Sequence, residues 1–179
     1  MRQRGIGARP VPATIAGMGI RYYASTWHPD DAETVIREPR LALPDDPFFA
    51  AWSRLSAPEA SPNLLYLDKA WPDFQDLTGP RRGRAARPSY RLFEGQIAHV
   101  KRGWIPWLRA LEPTEVRTLS QDLAAITNRD IEQCAASDDG KTSGYLRYRH
   151  EDLTHFLDQA QAFISQAADR GDGIAYMIG

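Results

Sequence analysis

The C-terminal end of this chain constrains its fold most, because one long helical stripe runs directly into a strand. Leu153, Phe156, Leu157, Ala160, Phe163, Ile164 and Ala167 recur with the period of an amphipathic α-helix. The stripe stops at Arg170-Gly171, a basic residue and a glycine of the kind that ends helices, and Ile174 to Ile178 follows as a short apolar run. A helix with one apolar face and a strand next to it must bury those surfaces against each other or against further elements. The remaining strand-like stretches flank several helical ones without regular strand–helix–strand spacing. The expected class is therefore α+β, a small mixed sheet packed with several amphipathic helices, rather than a doubly wound parallel sheet.

Upstream, Met18 to Ala24 carries Ile20, Tyr22 and Tyr23 and predicts the first strand. Pro29-Asp30-Asp31 opens a helix that must stop before Pro39, and Pro44-Asp45-Asp46-Pro47 opens a second with Phe48, Ala51, Trp52 and Leu55 at helical spacing. Leu67, Ala70, Trp71, Phe74 and Leu77 form another stripe, which Pro72 tolerates if Asp68 is the N-cap. Tyr90 to Phe93 and Gln96 to Val100 predict a hairpin turning at Glu94-Gly95. Pro113 starts the clearest helix, with Val116, Leu119, Leu123 and Ile126 on one face. Ser137 to Gly144 is a polar loop.

Residues 1–17 hold three arginines, three glycines and two prolines and lack the apolar run of a secretory signal, so they are expected to be an extension, with translation from Met18 as the alternative. Residues 18–179 fit one domain, large enough to bury roughly 70% of its unfolded surface. A net charge of −1 gives no overall attraction to nucleic acid or anionic lipid. One cysteine, Cys134, forms no intrachain disulfide, and no apolar run reaches the roughly 20 residues of a spanning helix. The expected compartment is the cytoplasm, away from the membrane.

Candidate reaction centres fail on spacing. Gly140-Lys-Thr142 ends like a phosphate loop, but the first glycine would have to stand where Ala135 is. Gly17-Met-Gly19 precedes a strand, whereas a dinucleotide fingerprint follows one. His150 and His155 are five apart, about 140° around a helix, and do not converge as a metal pair. Cys134 has no neighbour that would activate it and reads as a small apolar residue. Asp73 and Asp76 read as a solvated helix face. No cofactor or metal is called for.

Two features point to binding. Arg81, Arg82, Arg84, Arg87, Arg91, Lys101 and Arg102 surround Tyr90, Phe93 and Trp104, which is how single-stranded nucleic acid is held, although the chain's overall charge argues against it. Trp104 and Trp107 flank Pro106 in a segment too broken for a regular element; burial in the core is the favoured expectation, and an interface anchor the alternative.

Met18-Gly-Ile-Arg-Tyr-Tyr-Ala24, Leu65-Tyr-Leu-Asp-Lys-Ala-Trp71, Gly103-Trp-Ile-Pro-Trp107 and the closing Ile174-Ala-Tyr-Met-Ile-Gly179 resemble the bacterial YfbM-like family over about residues 18–179. Asp68-Lys-Ala-Trp71 is the most specific of these strings; Pro72, the leader and the Arg-rich loop depart from the family's pattern. The resemblance implies an α+β fold and brings no catalytic residues.

These readings lead to a non-catalytic cytoplasmic binding protein that regulates or protects a protein partner, with Tyr22, Tyr23, Asp68, Lys69, Trp104 and Trp107 as candidate binding residues. A small enzyme or ligand-binding domain with a pocket at Asp68 and Lys69, beside Tyr22, Tyr23 and Trp104, is one rival. A weak nucleic-acid binder using Arg81 to Arg102 is the other. Asp68 acting only as a helix cap is the structural alternative to any binding role.

Overall fold

The computed structural model describes residues 19–55, 63–81, 83–136 and 150–179. Its centre is a four-stranded sheet in the order β2-β1-β6-β5. The strands are β1 (Tyr22–Trp27), β2 (Leu64–Asp68), β5 (Trp107–Leu111) and β6 (Gly173–Ile178), and all three pairings are antiparallel. A separate two-stranded ribbon is made by β3 (Ala98–Val100) and β4 (Gly103–Ile105). The helices are α1 (Ala32–Arg37), α2 (Pro47–Leu55), α3 (Trp71–Thr78), α4 (Pro113–Ala124), α5 (Asn128–Ala136) and α6 (His150–Arg170). The α+β class holds, and within it the sheet is antiparallel rather than mixed.

The first and last strands lie side by side at the middle of the sheet. Beyond their ladder, Arg21 and Gly179 exchange backbone hydrogen bonds of 3.0 and 2.9 Å. Alternation along the strands then sorts residues to two faces. Tyr22 and Ala24 of β1, Leu65 and Leu67 of β2, and Ile174, Tyr176 and Ile178 of β6 join the large core with Val116, Leu119 and Leu123 of α4 and Ala160, Ile164 and Ala167 of α6. The opposite face is a smaller cluster of Trp27, Val35 and Ala175, with Ala32, Ala42 and Ala110 packed against it. The predicted stripe of α6 is thus the one that faces the sheet, and Gly171, at φ 72°, ends the helix as expected. Gln161 on α6 donates to the carbonyls of Leu123 and Ile126, both at 3.0 Å, satisfying the end of α4.

Several expectations are corrected. The first strand starts at Tyr22 and continues to Trp27. Leu64–Asp68 is strand, and the helix begins at Trp71, with Ala70 at the N-cap and no side-chain cap. Asp68 therefore caps nothing; Pro72 sits in the first turn, where its missing amide costs nothing. Pro88–Leu92 is a 3-10 turn, so the hairpin lies further on, at β3–β4, with Lys101-Arg102 as its turn. Asp73 is buried at 1% exposure instead of lying on a solvated face. The leader, the Ser137 to Gly144 loop and the side chains of Trp52 and His150 lie outside the described residues.

Candidate interaction surface

The ribbon pairs Ala98 with Ile105, His99 with Trp104 and Val100 with Gly103. Directly opposed residues share a face, so Ala98, Val100 and Ile105 lie on one side and His99 and Trp104 on the other. All six positions are exposed, and Val100, Trp104 and Ile105 keep 49, 41 and 57% of their surface in water. Neither face of the ribbon is covered. An isolated two-stranded hairpin is marginal in water, so apolar residues on both of its faces gain little stability from the fold that carries them. Trp104 and Trp107 are each in a strand and exposed, contrary to the core placement expected from tryptophan's usual burial.

Past Pro106 the chain enters β5, the edge of the main sheet. Trp107 and Arg109 pair with Ile178 and Tyr176 and so face the side of the sheet that carries the larger core. The segment Arg91 to Gly95 passes beneath them. Trp107 packs directly over Gly95, whose φ of 130° and lack of a Cβ allow the contact; a methyl there would fall inside the indole ring. Arg109 forms an ion pair with Glu94, and Arg91 reaches Glu115 at 2.7 Å. The buried hydroxyl of Tyr176 donates to the Glu94 carbonyl at 2.8 Å, with that of Arg91 at 3.1 Å, and burial pushes its pKa up to about 12. From α3, the Gln75 amide donates to the carbonyls of Phe93 and Gly95 at 2.6 and 2.9 Å. One side of β5 is therefore rigidly seated.

On its outer side β5 has no further strand in the sheet among the described residues. Among the described residues, no backbone hydrogen bond outside the β6 ladder involves Trp107–Leu111. An edge strand of this kind presents unpaired amides and carbonyls, a template for a further strand.

At the other edge, Asp68 stands at φ 47° where the β1–β2 register shifts. Its carboxylate accepts from Arg21 Nε at 2.8 Å and from the Tyr66 hydroxyl at 2.9 Å. The Arg21 guanidinium lies 5.2 Å over the Phe48 ring, and Tyr23 stacks on Tyr66 with centroids 5.3 Å apart. Burial, followed by the hydrogen bond to Asp68, pushes the Tyr66 phenol well above its ordinary range. Tyr23 and Asp68 thus share one cluster, and Lys69 is exposed beside it. Tyr22 does not join them: it is fully buried on the opposite face, its hydroxyl donating to the Leu92 carbonyl at 2.8 Å. Trp107 is three strand spacings away, about 14 Å across the sheet. The single cleft expected from Asp68, Lys69, Tyr22, Tyr23 and Trp104 is not assembled.

The basic segment is also divided. Arg87 is tied to Asp122 at 3.0 Å and Arg91 to Glu115, while Lys101 and Arg102 form the ribbon's exposed tip. Sequence reasoning identified Trp104 and Trp107 but missed the ribbon itself. Its signal was Val100-Lys-Arg-Gly103, a polar turn between short runs of strand formers. Among the described residues, no group of three or more His, Cys, Asp or Glu side chains is placed to hold a metal, and no helix is long and apolar enough to cross a membrane.

A solved structure similar to this chain is that of a protein of unknown function, YfbM from Escherichia coli, with 14% identity, a TM-score of 0.47, and coverage of 89% of this chain and 99% of that one. No protein-family model and no curated protein sequence matches the chain.

Proposed function

We propose that this protein is a non-catalytic binding module that takes an extended segment of a protein partner along the open edge of β5. The partner's strand continues the sheet through main-chain hydrogen bonds, while its apolar side chains pack against Trp104, Ile105 and Trp107. Acidic residues on the same segment meet Lys101 and Arg102 at the ribbon's tip. The observation that carries this reading is the joining of a sheet edge, unpaired among the described residues, to an apolar ribbon exposed on both faces. Strand addition draws affinity from the backbone and specificity from side-chain pockets, and tryptophan is over-represented among the anchors of interfaces. The seat beneath β5, fixed by Gly95, Glu94 and Tyr176, keeps the edge in place for docking. We place this work in the cytoplasm, where the lone, buried Cys134 needs no oxidised partner.

The rival pocket at Asp68 and Lys69 draws less support, because the Asp68 carboxylate is already engaged by Arg21 and Tyr66. Affinity capture from the native cytoplasm distinguishes the readings. The wild-type chain should recover a partner that the double variant Trp104→Ser/Ile105→Ser, with an unchanged circular dichroism spectrum, does not. Recovery of that partner at equal yield by both proteins would refute the docking site.

A further inference from the structure

We infer that a cavity between the Arg81–Arg87 loop and α5 binds a small oxyanion of the phosphate class. This site is separate from the β5 edge and uses arginines that the proposed docking does not.

The local sequence explains why the cavity is basic. Arg81 and Arg84 exchange backbone hydrogen bonds of 3.0 and 2.9 Å, and Gly83 beside Arg84 takes φ 77°. Residues that exchange both bonds point to the same side, so the two guanidiniums emerge together. The Arg87 amide then donates to the Thr78 carbonyl at 2.8 Å, folding the loop back onto the end of α3 and bringing a third arginine to the same place. The result is a cavity of about 90 Å³ lined by Arg81, Arg84, Arg87, Asp130, Gln133 and Cys134, with Leu77 and Ile126 as its apolar wall. A single water needs on the order of 10–15 Å³ by this kind of measure, so a tetrahedral anion has room.

Three guanidiniums and one carboxylate line this space. The carboxylate is turned to its own helix: Asp130 Oδ2 accepts from the Thr127 amide at 2.8 Å and hydroxyl at 2.7 Å. Arg87 is balanced by Asp122, which stands behind it. Arg81 is held by the Asp76 carbonyl at 2.8 Å and by contact with Cys134 Sγ. Arg84 donates to the Leu77 carbonyl at 3.0 Å through one of its five N–H groups. These anchors hold Arg81, Arg84 and Arg87 around the cavity, and guanidinium groups recognise a phosphate oxygen geometrically as well as by charge. Gln133 adds a neutral amide at the rim. Of the seven basic residues that suggested a nucleic-acid groove in the sequence, Arg81, Arg84 and Arg87 line this one cavity instead of tracking a strand.

The test is calorimetric titration of the full chain with inorganic phosphate at constant ionic strength set with chloride. The wild type should show saturable binding at one site, which Arg84→Gln weakens about tenfold or more and Arg117→Gln, an exposed change on α4, leaves intact. In a parallel readout that needs no variant, phosphate should shift the Nε–H resonances of Arg81, Arg84 and Arg87 and leave that of Arg117 in place. Absence of saturable binding by the wild type, equal affinity in Arg84→Gln, or unmoved resonances at the three arginines would overturn the proposal.

Discussion

The two edges of the sheet are treated differently. At β2 the strand ends irregularly: the register with β1 shifts, Asp68 turns the chain with a left-handed backbone, and Arg21 and Tyr66 clasp its carboxylate. Irregularity and charge of this kind are how edge strands avoid pairing with another chain. At β5 the edge remains available, and the chain places four exposed apolar residues, Val100, Trp104, Ile105 and Trp107, in or immediately before it. The two edges thus differ in regularity and in the exposed apolar side chains beside them. On the proposed reading, binding belongs to the β5 edge and ribbon, and stability to the rest of the sheet.

The sharpest way to break this comparison is to perturb each edge and measure both properties. Leu67→Ala on β2 removes a fully buried side chain and should cost about 2–5 kcal/mol in urea-induced unfolding. A cost below 1 kcal/mol would mean that the β2 edge does not belong to the core. Gly95→Ala should cost roughly 1–3 kcal/mol, because it combines an unfavourable backbone with displacement of the Trp107 indole. The same variant should change Trp107 fluorescence; a wild-type emission spectrum would show that the indole is not seated on Gly95.

The loop carrying that seat is expected to respond to acid through Asp122. Burial raises the Asp122 pKa, but the Ser89 and Arg87 hydrogen bonds outweigh it and hold the carboxyl below its ordinary value of 3.8. A carboxyl depressed on folding contributes stability above its unfolded pKa, and that contribution is lost as pH falls through the folded value. Stability should therefore decline below about pH 4, and Asp122→Asn should flatten this acid limb while lowering stability at pH 7 by roughly 1.5–3 kcal/mol. An acid limb of unchanged slope in the variant would remove Asp122 from the account. The smallest effect on folding is expected at the ribbon: Trp104→Ala should shift stability by no more than about 0.5 kcal/mol. A loss of several kcal/mol would make the ribbon part of the core and collapse the distinction between the two edges.

What the sequence revealed follows the same division. The α6 stripe, the Pro113 start and the Gly171 stop were readable because local preference and burial agree there. The stretch from Leu67 to Leu77 misled because it crosses a strand-to-helix switch. Leu67 faces the core by strand alternation, whereas Ala70, Phe74 and Leu77 do so around the helix start, and together they imitate one helical stripe. Gly95, expected at a hairpin turn, takes positive φ beneath Trp107 instead. The partners of Asp68 could not be read from spacing, since Arg21 reaches it only when β1 and β2 align. Tryptophan's average burial favours the core for Trp104 and Trp107, and their exposure departs from that average.

The most direct test of the docking account is backbone amide hydrogen exchange on the full chain, free and saturated with its captured partner. The account predicts that partner binding slows exchange in Trp107–Leu111 and in the β3–β4 ribbon and leaves Leu64–Asp68 unchanged. Protection concentrated at β2 around Asp68, with β5 exchanging at its free rate, would contradict it.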